Sequence, residues 1–268
     1  MKIKEVLKNE VDKLNSYHIE DAILKAQILL QHVLGVSHEY LTIHYEDKMD
    51  KQFLRELQMY ITQLINGRPI QYIVNNQDFY GYHFYVDENV LIPQPDTEIL
   101  VEEMIGIGKK IDKKMKILDI CTGSGAIAIS IRKNLECTMY ASDISESALE
   151  IARKNIVINQ TEVSLIHSDM FEKMDSKFDM IVSNPPYIET SVIESLSEEV
   201  KNEPQIALDG GEDGLKFYRI LADKAGNYLE KDGILAVEIG YHQREKVMEI
   251  FEKAGFCEVY SKKDFGRK

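Results

Sequence analysis

Tryptophan is missing altogether from this 268-residue chain, and cysteine and proline are scarce, with three and six copies. Cys121, Cys137 and Cys257 are odd in number, far apart and form no C-x-x-C pair, which excludes a disulfide framework and a cysteine zinc site. No metal is expected, and a reducing, cytoplasmic location fits. Long uncharged apolar runs are also lacking. The opening Met1-Lys2-Ile3-Lys4-Glu5 carries acid early and has no apolar signal core, so nothing directs the chain to a membrane. Positive charge is in deficit too: 32 Lys+Arg against 45 Asp+Glu leave −13, a field that repels polyanions and argues against an extensive nucleic-acid surface. Beyond the cluster Lys109, Lys110, Lys113, Lys114 and Lys116, read as a solvated helix end, no basic strip interleaved with aromatics appears.

What is present begins with 44% hydrophobic residues, enough to bury a core in one large domain or two smaller ones. From Ile3 to Asn66 apolar residues recur at helical spacing, as in Ile19, Ile23, Ala26, Leu30, Val33 and Leu34, with Gly35 as a stop. A second long helix is expected from Asp50, a plausible N-cap, through Phe53, Leu57, Tyr60, Ile61 and Leu64 to Asn66-Gly67. These segments predict a small N-terminal helical bundle over 1–73. The aromatic, glycine-punctuated stretch 78–86 predicts a hairpin within a linker over 74–92. Beyond Pro93 short apolar runs alternate with helical stretches, the pattern of a doubly wound α/β domain over 93–268 with a parallel sheet. Strands are expected at 115–120, 138–142, 164–167, 180–183, 234–239 and 256–260, and helices at 126–133, 147–159, 214–230 and 242–254. The long polar segment 188–213 breaks this rhythm, and loops of that length inside a compact domain are usually functional.

Asn184-Pro185-Pro186-Tyr187 stands at the end of the apolar run Met180-Ile181-Val182. Each prolyl ring fixes its own φ and pushes its predecessor out of the α region, so the loop is stiff. It can aim the Asn184 side-chain oxygen and the Pro185 carbonyl at two N–H hydrogens, while Tyr187 walls a flat group. Upstream, Asp119-Ile120-Cys121-Thr122-Gly123-Ser124-Gly125 joins a strand to a helix through two glycines. Asp143 follows the next strand, about 20 residues after Gly123, as expected for an acid that accepts two ribose hydroxyls, with Ile144 beside it. Gly123, Gly125 and Ala128 also satisfy G-x-G-x-x-A, so a nicotinamide dinucleotide stays in contention on that turn alone. Ser168-Asp169-Met170-Phe171 follows the third strand, where Asp169 could accept from an adenine amine and Met170 could face the ring. In a doubly wound sheet all these segments meet at the carboxyl edge.

Taken together these residues resemble a class I S-adenosylmethionine-dependent methyltransferase of the N-P-P-Y group, with a Rossmann-like sheet. The chain is most similar to the protein-(glutamine-N5) methyltransferases that modify the Gly-Gly-Gln motif of peptide chain release factors. Further resemblances are Arg68-Pro69-Ile70-Gln71-Tyr72-Ile73, the run Val90-Leu91-Ile92-Pro93-Gln94-Pro95-Asp96-Thr97-Glu98, Glu203-Pro204 with Ala207 to Leu215, and Glu238-Ile239-Gly240. The resemblance implies S-adenosyl-L-methionine as cofactor, held by Asp119, Cys121, Thr122, Gly123, Ser124, Gly125, Asp143, Ile144, Asp169, Met170 and Asn184, with S-adenosyl-L-homocysteine as product. It implies that Asn184, Pro185, Pro186 and Tyr187 bind the glutamine, that Asn184, Pro185 and Tyr187 carry the chemistry, and that the partners are class 1 release factors met by a monomer. Two departures stand out: Gln94 where the family typically has Arg, and an end at Asp264-Phe265-Gly266-Arg267-Lys268 where family members continue into a last strand. Other readings of the same loop are an amino-methyltransferase for adenine or cytosine in nucleic acid, a methyltransferase for a ribosomal-protein glutamine, and a nucleotide-binding scaffold without turnover.

Overall fold

A computed structural model describes residues 1–263, which form two compact units, Met1–Asn75 with Glu198–Asn202, and Asn76–Ser197 with the chain from Glu203 onward. The end at 264–268, noted above as a departure from the family, lies outside the described residues. No helix among them is long and apolar enough to cross a membrane.

The first unit is helical: α1 (Ile3–Ser16), α2 (Ala22–Leu34), α3 (His38–Ile43), α4 (Lys51–Ile65) and α5 (Ile70–Val74). In α1 the buried positions Ile3, Val6, Glu10 and Leu14 recur every three or four residues, so one stripe faces inward, against Leu29, Leu30, Leu57 and Ile61. Gly35 ends α2 with φ +65, while the N–H groups of Gly35 and Val36 donate to His32 and Gln31, a left-handed C-cap that a Cβ would strain. Asp50 precedes α4 in extended backbone, and Asn66 closes it.

The polar excursion contributes one short helix, α9 (Glu198–Lys201), to this unit. Glu199 pairs with Lys25 at 2.8 Å, and the Asn202 side chain donates to the Gly67 carbonyl at 3.2 Å. Gly67 itself has φ +84, and a Cβ there would stand 2.8 Å from the Glu198 Cβ.

The second unit starts with the hairpin β1 (Gln77–Phe79) and β2 (Tyr82–Phe84), turned at Tyr80-Gly81 with both φ values positive. Its Phe79 and Phe84 are buried in the core of this unit. The remaining elements are α6 (Glu98–Gly108), β3 (Met115–Ile120), α7 (Ala126–Asn134), β4 (Cys137–Asp143), α8 (Glu146–Ile158), β5 (Ser164–His167), β6 (Phe178–Ser183), α9 (Glu198–Lys201), α10 (Gln205–Leu208), α11 (Lys216–Tyr228), β7 (Leu229–Val237) and α12 (Arg244–Lys253). The five parallel strands lie in the order β5-β4-β3-β6-β7. Alternation along the strands splits the core: Ile117, Met180 and Val182 pack on one face with α6 and α7, and Leu118, Ile120 and Ile181 on the other with α11 and α12.

Two expectations are corrected. Residues 256–260 form no strand, because Glu258 at φ +55 breaks the extension while Phe256 packs its ring 5.4 Å from Phe251. The strand expected at 234–239 begins at Leu229 and ends at Val237, so Glu238 lies just past its carboxyl end.

Gly67→Ala places a residue at φ +84 and forces α9 outward. At about 1–2 kcal/mol for the left-handed backbone alone, amides of residues 199–202 are expected to exchange hydrogen about 5- to 30-fold faster, which hydrogen exchange with mass spectrometry reads directly.

Candidate active site

Strand register brings distant segments to one edge. Ile120 pairs with both Ser142 and Ser183, Asp143 with His167, and Ser183 with Val237. The next residues along each strand, among them Cys121, Asn184 and Glu238, therefore leave the sheet side by side. Strand order reverses between β3 and β6, so their carboxyl ends open the crevice in which doubly wound sheets bind ligands.

On the β3 side Cys121, Gly123 and Gly125 have φ values of +60, +53 and +81, so the chain turns sharply after the strand. The Asp143 carboxylate accepts from Gly123 N–H and Ser145 N–H, both at 2.9 Å. Burial raises the Asp143 pKa, and those backbone donors pull it partly back. A Cβ on Gly123 would meet no atom within 4 Å, whereas one on Gly125 would stand 3.3 Å from Ala152. The first glycine thus borders open space and the second lets α8 approach. Exposed Ile144 and Asp169 flank this turn, and buried Met170, at φ +47, places its sulfur 3.9 Å from that of Cys121. An open left-handed turn with an adjoining carboxylate and an apolar flank fits a ligand that combines sugar hydroxyls with a flat ring. Burial raises the Cys121 thiol pKa strongly, so it is no nucleophile.

Asp119, which the resemblance implies as one of the residues holding the cofactor, is fully buried. Its carboxylate is sealed inside β3, where Oδ2 accepts from the Thr122 hydroxyl at 2.6 Å while Oδ1 has no hydrogen-bond partner among the described residues. It shapes the turn from beneath. Burial pushes its pKa up to about 7, against the pull of the Thr122 bond, and the nearby Asp143 charge adds to the rise.

On the β6 side Asn184 and Tyr187 are half-buried and Pro185 and Pro186 buried. The Asn184 NH2 donates to Thr97 Oγ1 at 3.3 Å. Ile188 N–H donates to Leu208 and Gly210 N–H to Ile188, at 2.9 and 2.7 Å, which ties the loop to the end of the polar excursion. A Cβ on Gly210 would sit 2.7 Å from the Tyr187 Cα, and one on Gly214 2.5 Å from the Tyr187 carbonyl, so backbone approaches backbone. Gln243 clasps three segments: its amide donates to Tyr187 O at 2.9 Å and Gly214 O at 3.2 Å, and its oxygen accepts from Gly240 N–H at 3.0 Å. Burial, then neighbouring Glu238, raise the Tyr187 phenol pKa, so the hydroxyl stays protonated. Glu203 accepts from Ile92 N–H at 2.9 Å, and burial pushes it up to about 7.

The structure thus brings the Cys121–Gly125 turn, Asp143, Ile144, Asp169, Met170 and the Asn184–Tyr187 loop to one sheet edge. Sequence reasoning gave no role to Thr97, Glu238 or Gln243. An acid directly after a run of buried-strand residues was the available signal for Glu238; Gln243 carried none. Gln94 donates to the Ile92 carbonyl at 3.0 Å and shapes its own turn.

Residues 5–74 match a family model described as the PrmC N-terminal domain, and residues 94–212 one described as the methyltransferase small domain. The release factor glutamine methyltransferase of Geobacter sulfurreducens is 36% identical over 249 residues, covering 92% of this chain and 87% of its own. That of Clostridium acetobutylicum is 38% identical over 274 residues, covering 100% of this chain and 96% of its own. The bifunctional methyltransferase of Rickettsia typhi is also 38% identical, and the chain spans 53% of its length. Among solved structures, a methyltransferase from Pyrococcus furiosus has a TM-score of 0.51 at 22% identity over 75% of this chain and 87% of that one, a likeness of fold.

The buried Asp119 makes stability depend on pH. Its folded pKa lies above the unfolded value of 3.8, so its contribution is fully present below pH 3.8, declines as pH rises to about 7, and is level above. Asp119→Asn removes that slope. Urea unfolding at pH 4.5 and 7.5 is expected to show the variant gaining on the wild type by up to about 3 kcal/mol between the two, and parallel stabilities refute it.

Proposed function

The chain belongs to the release factor glutamine methyltransferases, and from that premise we propose that it methylates the side-chain amide nitrogen, N5, of the glutamine in the Gly-Gly-Gln motif of class 1 peptide chain release factors. The observation that carries this reading is the clasped Asn184–Tyr187 loop beside the glycine turn at the β3–β6 reversal. The cofactor of the proposal is S-adenosyl-L-methionine. When bound it supplies an electrophilic methyl group on a sulfonium sulfur and leaves as S-adenosyl-L-homocysteine.

The residues that would hold it are the backbone of Cys121 to Gly125, the Asp143 carboxylate for the ribose hydroxyls, and Ile144, Asp169 and Met170 around the base. The substrate amide is a poor nucleophile, because its lone pair is delocalised into the carbonyl. Activation comes from placement: the Asn184 oxygen and the Pro185 carbonyl each accept one N–H hydrogen, turn the lone-pair axis toward the methyl carbon and favour the positive charge that grows on nitrogen. Tyr187 stacks on the flat amide. As the N–C bond forms and the S–C bond breaks, the nitrogen becomes strongly acidic and releases its proton to water, so no strong base is required. We assign residues 1–73 to recognition of the release factor, 74–92 to the linker and 93–268 to methyl transfer. Residues 198–202 of the polar excursion fold with the helical unit, so recognition also draws on this segment.

A nucleic-acid substrate is not favoured. The lysine cluster ends in Lys113, Lys114 and Lys116 at the amino end of β3, about 20 Å along a six-residue strand from Cys121. Lys113 is already paired with Asp179 at 2.5 Å.

Purified protein, labelled S-adenosyl-L-methionine, release factor and a nucleic-acid mixture are combined and the label located; recovery in glutamine of Gly-Gly-Gln is expected, and label in nucleic acid overturns the reading. Asn184→Ala removes one acceptor and is expected to lower the single-turnover rate about 10²- to 10³-fold while calorimetric binding of S-adenosyl-L-homocysteine is largely kept. A rate within threefold of wild type contradicts the role given to Asn184.

A further inference from the structure

The face of α8 that meets the glycine turn carries a buried amide for which methyl transfer has no direct use. Ala152, Asn155 and Asn159 recur three and four residues apart, so they share one stripe of the helix and its C-terminal end. A Cβ on Gly125 would stand 3.3 Å from that of Ala152, and Asn155, one turn further on, is fully buried. Its Nδ2 donates to the Ser124 carbonyl and to the Tyr85 carbonyl, both at 2.9 Å, while its Oδ1 accepts from Tyr85 N–H at 2.7 Å. Both amide hydrogens and the oxygen are thus engaged. A carbonyl only accepts and a backbone N–H only donates, so these three partners allow the amide a single orientation.

Tyr85 directly follows β2 in the linker. Asn159 donates to the His83 carbonyl at 2.9 Å and to the Asn155 carbonyl at 3.1 Å. Alternate residues of the two-stranded hairpin are therefore met by asparagines of α8, which cover an edge where a further strand would otherwise pair. Asn155 also reaches the turn between β3 and α7. That turn contains two glycines at positive φ, whose permissive backbone has little shape of its own, so bonds from outside must fix it. Asp143 takes the Gly123 N–H, and Asn155 takes the Ser124 carbonyl.

We infer that Asn155 is a positioning residue for the cofactor: it holds the Cys121–Gly125 turn in its binding shape and, through the same amide, ties that turn to the linker at Tyr85. The inference rests on the reading above in which this turn receives S-adenosyl-L-methionine. Such coupling is reciprocal, so a ligand that steadies the turn also steadies Tyr85, and a change that frees Tyr85 loosens the turn. Aspartate at 155 would still accept from Tyr85 N–H, but once ionised it faces two carbonyls with no hydrogen to give. Leucine keeps nearly the same volume and makes none of the three bonds.

The test uses the full-length protein, comparing wild type with Asn155→Asp, Asn155→Leu and Asn159→Ala, each shown to be folded by urea unfolding. Calorimetry with S-adenosyl-L-homocysteine is expected to show both Asn155 variants binding about 5- to 50-fold more weakly, the scale set by a buried acceptor that loses its donor. With release factor as substrate the loss falls on the KM for S-adenosyl-L-methionine rather than on kcat. Asn159→Ala loses a hairpin contact but none to the turn, and is expected to bind within about twofold of wild type. In the wild type, saturating S-adenosyl-L-homocysteine is expected to slow amide hydrogen exchange at Tyr85 about fivefold or more, with Tyr85 still exchanging faster than the amides of β3, the mark of a local opening. Folded Asn155 variants that bind within twofold of wild type, an Asn159→Ala protein that binds as weakly as they do, or wild-type exchange at Tyr85 unchanged by ligand each overturn this inference alone. The exchange measurement decides the matter even where no Asn155 variant folds. A wild type that binds no S-adenosyl-L-homocysteine overturns the cofactor reading and this inference with it.

Discussion

Parallel pairing of β3 with β6 is the constraint from which the site follows. Because Ile120 and Ser183 are partners in that ladder, the glycine turn and the proline loop must emerge together, and the Ser183 hydroxyl reinforces the join by donating to the Ile120 carbonyl at 2.7 Å. A slip of one residue would turn every side chain of β6 to the opposite face, placing Met180 and Val182 against α11 and Ile181 against α7. Two well-filled cores forbid that slip. Hydrophobic packing on both faces of the sheet thus sets the position of polar groups that contribute nothing to it.

The second feature is an accumulation of acid without cations. Asp119 and Glu203 are buried with their pKa values raised, and Glu238 sits beside Asn184 with one oxygen unpartnered among the described residues. Burying an unpaired carboxylate costs several kcal/mol, so the fold retains these groups at the expense of stability. What they have in common is the capacity to accept hydrogen bonds from hydroxyl and N–H groups. Thr122 is held this way by Asp119 and the Ile92 N–H by Glu203.

Much of this was legible in the sequence, for identifiable reasons. Buried parallel strands read as short apolar runs, so four of the five sheet strands fall where Ile117, Met139, Leu165 and Ile181 lie, and helix ends follow from Gly35 and Asn66 because left-handed or frayed caps are local events. The Asn184–Tyr187 loop is likewise local, its stiffness written in two prolines. Illegible were the partners that arrive through tertiary structure. Thr97 and Glu238 lie 87 and 54 residues from Asn184 in the chain, so no periodicity connects them to it. Residues 256–260 failed as a strand for the opposite reason: their composition suits extension, but the left-handed backbone at Glu258 does not.

The same neighbour changes how the loop itself is to be viewed. From sequence, aspartate is the conservative replacement for Asn184, since it keeps an acceptor and nearly the same volume. Beside Glu238 it would put a second carboxylate against a buried one, and two such groups do not ionise together; one must take up a proton and become a donor. An amide avoids this, because it carries no net charge and its NH2 already donates to Thr97. Asparagine beside that acid thus adds polar capacity without a second charge, and the two prolines that follow hold its backbone in one conformation.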